Sequence, residues 1–126
     1  MHDIPYAIEL QRNLTEVERD LLVFLLRQEM PQQVTKVDTL KVIGRCGCGK
    51  CPTILIGQGQ HPFPTIGEFK EIANYIGKNS QGVLAGVALL EREGGLFELE
   101  AWSPSGDNVM QWPMVTSLER TTPSLG

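Results

Sequence analysis

The chain has 126 residues, of which 41% are hydrophobic, 21% charged and 6% aromatic. That is the size of one domain and the composition of a globular one, which excludes disordered and fibrous classes. The net charge of −4 is lopsided: residues 1–63 carry seven acids and seven bases, residues 64–126 eight acids and four bases. Binding to nucleic acid needs a basic stripe that displaces counterions, and none is present. An acidic second half instead favours a basic protein partner, or serves solubility alone.

No apolar run approaches the roughly 20 residues that cross a bilayer, so no membrane association is expected. The longest, Leu21 to Leu26, sits inside a charged segment. The opening Met1-His2-Asp3 has neither a basic nor an apolar stretch, so no secretory signal is expected. The three cysteines are odd in number and crowded between Cys46 and Cys51. A disulfide framework uses an even number spread along the chain, so reduced, cytoplasmic thiols are expected.

The first clear element is a helix from about Glu16 to Met30. Thr15 followed by Glu18 forms a capping box at its start. Val17, Leu21, Phe24, Leu25 and Gln28 follow the helical period, and Leu22, Val23 and Leu26 widen the apolar face. So wide a face implies burial against a sheet, with Arg19, Asp20 and Arg27 toward solvent; Pro31 ends the helix. A strand follows from Val37 to Gly44, with Leu40 and Val42 on one face and Thr39 and Lys41 on the other. A Gly/Cys-rich turn over residues 45–52 leads into a short strand, Thr53 to Ile56, which makes a hairpin. Residues 57–66, with two glycines and two prolines, read as a surface loop.

Phe69, Ile72, Ala73 and Ile76 recur at helical spacing, and Thr65 with Glu68 offers another capping box. Against a helix there, residues 77–82 form a turn straight into an apolar arm, Val83 to Glu91. That arm and Leu96 to Trp102 flank Gly94-Gly95, a hairpin signal. Phe97, Leu99 and Ala101 alternate with Glu98, Glu100 and Trp102, so one face is core and the other acidic. The expected fold is α+β, an N-terminal helix packed on a mainly antiparallel sheet of about five strands. One domain spans residues 1–120, and residues 121–126 form a flexible tail.

Three stretches carry a resemblance: residues 14–22 (Leu14-Thr15-Glu16 to Leu22), Gly44-Arg45-Cys46-Gly47-Cys48-Gly49 leading to Cys51-Pro52, and residues 95–103 ending at Gly106-Asp107. Over roughly residues 12–107 the chain resembles a group of small bacterial proteins of unknown function. In that group the turn reads as a tighter Cys-Gly-Cys-Gly-Cys-Pro, whereas here Lys50 is inserted before the last cysteine. The resemblance implies an α+β fold with a strand near residues 70–77, and it implies no activity. Small proteins of this build also recur among toxin-neutralising immunity proteins.

Chemistry concentrates in the turn. Cys46, Cys48 and Cys51, with His61 ten residues beyond, are the ligand types of a structural zinc site; the alternative is a plain Gly/Cys hairpin turn. Arg45 and Lys50 beside the thiols should lower a cysteine pKa, and Cys48 with Cys51 has C-x-x-C spacing, although a strand rather than a helix follows. Glycines at 47 and 49 could also cradle an anion, without the spacing of a nucleotide loop. No serine-hydrolase elbow or zinc-protease helix occurs, so no catalytic residue is assigned. The leading expectation is a non-enzymatic protein-binding module, such as an immunity protein. Glu91, Glu93, Glu98, Glu100 and Asp107 would steer a basic partner, anchored by Trp102 and Trp112; core or edge packing is the other role for these tryptophans. The alternative is a zinc-stabilised structural or regulatory domain on Cys46, Cys48, Cys51 and His61.

Overall fold

The computed structural model describes residues 7–48, 50–58, 69–92, 95–106 and 111–121, with backbone alone at Ala7 and Phe97. In chain order these form β1 (Ala7–Asn13), α1 (Glu16–Glu29), a 3-10 segment (Pro31–Thr39), β2 (Lys41–Cys46) and β3 (Ile54–Gly57). Then come β4 (Lys70–Lys78), β5 (Leu84–Arg92), β6 (Gly95–Trp102), a 3-10 turn (Val115–Ser117) and β7 (Glu119–Arg120). The strands make one sheet in the order β1-β2-β3-β6-β5-β4-β7, and every pairing is antiparallel. The α+β class stands, with seven strands among the described residues rather than about five. The two additions are β1 and β7.

Helix α1 forms because its ends and its face agree. Thr15 Oγ accepts from Glu18 N at 3.2 Å, and the Glu18 carboxylate accepts from Thr15 N at 2.8 Å, so the capping box is closed. Leu21, Leu22, Leu25 and Leu26 are fully buried against Val42, Ile54, Ile56, Ala73, Tyr75, Val87, Leu89 and Leu99 of the sheet. Each such leucine contributes roughly 1.5–3 kcal/mol. Val17 and Gln28, expected on this face, lie outside, and Val17 is 53% exposed.

Residues 37–40 are not strand. Pro31 opens a 3-10 segment in which Val34 and Val37, with the cap residue Leu40, recur every third residue, the spacing that stacks side chains on one face of such a helix. All three meet the core, so the strand starts only at Lys41. Residues 70–78 are a strand, in line with the hairpin reading. The helical spacing of Phe69, Ile72, Ala73 and Ile76 has a local cause, because the β4–β5 register shifts between Glu71 and Ala73 and moves the apolar positions. Tyr75 then faces α1 and meets Phe24 edge-on at 5.5 Å. Its hydroxyl donates to Glu29 at 2.5 Å, and Arg120 of β7 donates to the same carboxylate oxygen. Thr121, expected to begin a loose tail, is tied by its N–H and hydroxyl to the Asn74 carbonyl. Residues 122–126 lie outside the described residues.

Beyond the capping box, Arg12 of β1 grips Glu18 through two hydrogen bonds of 2.8 Å, one to each carboxylate oxygen. Burial opposes ionisation of Glu18, but the bonds from Arg12 and Thr15 outweigh it and hold the carboxyl below its ordinary range. Replacing Glu18→Ala opens the cap and strands Arg12, which keeps a third of its side chain in water. The expected cost is therefore about 2–3 kcal/mol in urea unfolding at neutral pH. Because the folded-state pKa is depressed, this contribution is present above the unfolded carboxylate pKa and is lost as pH falls through the folded one. The gap between wild type and variant should narrow in acid; a gap independent of pH would show that the charge contributes nothing.

Candidate metal centre

The β2–β3 hairpin ends at Cys46, whose N–H donates to the Thr53 carbonyl at 3.1 Å. Past that bond the backbone N–H groups of Cys48, Lys50 and Cys51 point to sulfur. Cys48 N donates to Cys46 Sγ at 3.5 Å, and Lys50 N and Cys51 N both donate to Cys48 Sγ at 3.4 Å. The Cys48 and Cys51 sulfurs are 3.3 Å apart, and all three sulfurs lie within 4.8 Å of one another. Ligands about 2.3 Å from a tetrahedral zinc stand about 3.8 Å apart, so one ion fits among these sulfurs with small adjustments. All three cysteines are free thiols. His61, the fourth ligand type named from the sequence, lies outside the described residues.

The three thiols are not equivalent. Cys48 is exposed, and N–H donation from Cys51 and Lys50 lowers its pKa to about 6. Cys46 is half-buried, and burial together with its neighbouring thiols pushes it up to about 12. The depression at Cys48 thus comes from the backbone rather than from the Arg45 and Lys50 side chains. Lys50 acts through its N–H, and the Arg45 guanidinium reaches back to the Cys46 carbonyl at 3.5 Å. Lys50 supplies one of the two N–H groups that converge on Cys48.

Behind the turn lies a cavity of about 180 Å³ lined by Cys46, Cys51, Thr53, Leu55, Glu98 and Glu100. It exists because β3 pairs with β6, setting Leu55 opposite Glu98, while Thr53 Oγ accepts from Ala101 N at 2.9 Å. Glu98, Glu100 and Trp102 do sit on the sheet face away from α1, but that face is not the open acidic surface expected. Glu98 is only 3% exposed, and Leu55 and Ala88 are buried. Glu100 is half-buried, and burial, then the Glu71 charge, raises its pKa. From Ala85 to Leu89 every residue of the neighbouring β5 is buried too, so both faces of the sheet are shielded from water there.

Trp102 packs over Gly86, where any Cβ would overlap the indole, and its ring N–H is buried without a hydrogen-bond partner. Glu91 is mostly covered and lies 4.0 Å from Lys70. Glu93 and Asp107 lie outside the described residues. Trp112 packs against the core and also lines a separate apolar groove of about 570 Å³ with Val17, Pro52, Pro113, Met114 and Val115. No sequence pattern announced that groove, because its walls come from α1, the cysteine turn and the C-terminal stretch. Comparison with protein-family models, curated proteins and solved structures returns no significant match.

In protein stripped of metal by a chelator, alkylation of Cys48 should slow as pH falls through about 6, while Cys46 stays slow throughout the neutral range. Peptide fragmentation after iodoacetamide treatment at graded pH separates the two. A Cys48 profile rising only toward pH 9, like an ordinary thiol, would show that the N–H cradle does not form.

Proposed function

We propose that this chain binds a soft divalent metal ion, zinc before others, on Cys46, Cys48 and Cys51, and that the ion locks the β2–β3 hairpin as a structural or regulatory site. The observation that carries this is the convergence of three sulfurs within 4.8 Å in one turn, two backbone N–H groups aimed at one of them. Thiolates are the ligands zinc and related soft ions prefer, and N–H donors to sulfur offset the charge that several thiolates place on one ion. His61 is the residue proposed to complete the set. Ligation requires reduced sulfur, which fits a cytoplasmic setting. No helix among the described residues is long and apolar enough to cross a membrane.

A basic protein partner, with an immunity protein as its concrete form, is the second candidate. Exposed Glu71 and half-buried Glu100 repel across the sheet, and a cation would relieve that repulsion. It ranks lower because Glu98 would have to leave a buried position to take part.

Purified protein should take up near-stoichiometric zinc. Its cobalt form should show thiolate-to-cobalt charge-transfer absorption, and chelation should lower the unfolding temperature. Cys48→Ser should weaken metal affinity by more than the roughly 10–100-fold that loss of outer-shell support costs. Cobalt spectra without thiolate bands, together with an unfolding temperature unmoved by chelator, would remove the metal from this account.

A further inference from the structure

Of the three thiols in the turn, Cys48 alone is exposed, and its sulfur stands 3.3 Å from that of Cys51. We infer that Cys48 and Cys51 close into a disulfide when the protein meets a hydroperoxide, and that this bond expels the metal. The inference rests on the metal reading for its second half only. The N–H groups of Lys50 and Cys51 hold the Cys48 sulfur on the side where Cys51 stands, 3.3 Å away. A disulfide needs about 2.05 Å, a distance that side-chain rotation can supply. Two residues intervene between this pair, and one between Cys46 and Cys48, so the ring closed by Cys48 and Cys51 is the less strained.

The chemistry balances with the hydroperoxide as oxidant. The Cys48 thiolate attacks one peroxide oxygen, forming an S–O bond as the O–O bond breaks, and the departing oxygen leaves as hydroxide or alkoxide and takes a proton. The Cys51 thiolate then attacks the Cys48 sulfur, forming S–S and breaking S–O, and the second oxygen leaves as water after protonation. Two electrons pass from the two sulfurs to the peroxide. Both sulfurs now have their charge spent in a covalent bond, so the ion keeps Cys46 alone of the three and dissociates.

The sequence provides a convenient assay. Trypsin cuts after Arg45 and after Lys50, so Cys46 and Cys48 share one peptide and Cys51 opens the next. Zinc-loaded protein is treated with hydrogen peroxide, its free thiols are alkylated, and it is then digested, with zinc followed by a chromogenic chelator. Expected are a cross-link between the two peptides, alkylated Cys46, zinc released in equal molar amount to the bridge, and reversal by dithiothreitol. Cys51→Ser should abolish the cross-link, and Cys46→Ser should keep it while weakening zinc uptake. Bridging in protein that takes up no zinc under loading would sustain the disulfide and overturn the metal reading on which the expulsion rests. A Cys46–Cys48 bridge, Cys48 sulfinic acid without cross-link, or a bridge formed with zinc retained would each overturn the inference.

Discussion

One face of the sheet depends on α1 for exclusion of water. Leu21, Leu22, Leu25 and Leu26 are completely buried against residues from β2, β3, β4, β5 and β6. Together they contribute roughly 6–12 kcal/mol, comparable with the whole net stability of a typical domain, about 5–15 kcal/mol. The helix therefore has to be docked at both ends. Arg12 and Thr15 fasten Glu18 near its start, and Tyr75 with Arg120 fastens Glu29 at its finish. Because Arg12 belongs to β1 and Arg120 to β7, the same side-chain bonds secure the two outermost strands of the sheet.

The second constraint is the pairing of β3 with β6. It joins β1-β2-β3 to β4-β5-β6 and is short, with Ile54 opposite Leu99 and Leu55 opposite Glu98. Thr53 extends it by accepting from Ala101 N. That junction decides what lies behind the cysteine turn. Without it Cys46 and Cys51 would end a free hairpin; with it they border a cavity that also contains Glu98 and Glu100. Two of the three thiols and two carboxyl side chains therefore border the same cavity.

Much of the fold was legible because local signals and tertiary packing agree there. The capping box, the aliphatic helix face, the cysteine hairpin and the β5–β6 hairpin all occur where residue pattern puts them, within a few residues. Two of the disagreements fall where two periods compete. Val37 and Leu40 read as the first half of a strand, whereas a proline-led 3-10 segment sets them in one stripe with Val34. Ile72 and Ala73 look helical because a register shift interrupts the strand alternation. β1 had a usable signal, Ile8, Leu10 and Arg12 alternating with exposed Glu9, Gln11 and Asn13. A strand at the sheet edge needs only that weak half-buried pattern, which is why it is easily passed over.

The amino-acid order alone determined the ligand types and their spacing: three cysteines in one six-residue stretch, with glycine following the first two. It also determined that the second half is acidic, since charge is additive along a chain. Only tertiary structure decided where that acidity goes. Alternation placed Glu98 away from the helix, but whether such a face meets water depends on what else covers it, and Glu98 proved to be buried. Likewise spacing named the three thiols, while the direction of two backbone N–H groups toward Cys48 made them unequal. Burial and hydrogen-bond direction are properties of positions in space, set by contacts between distant segments, and no local pattern carries them.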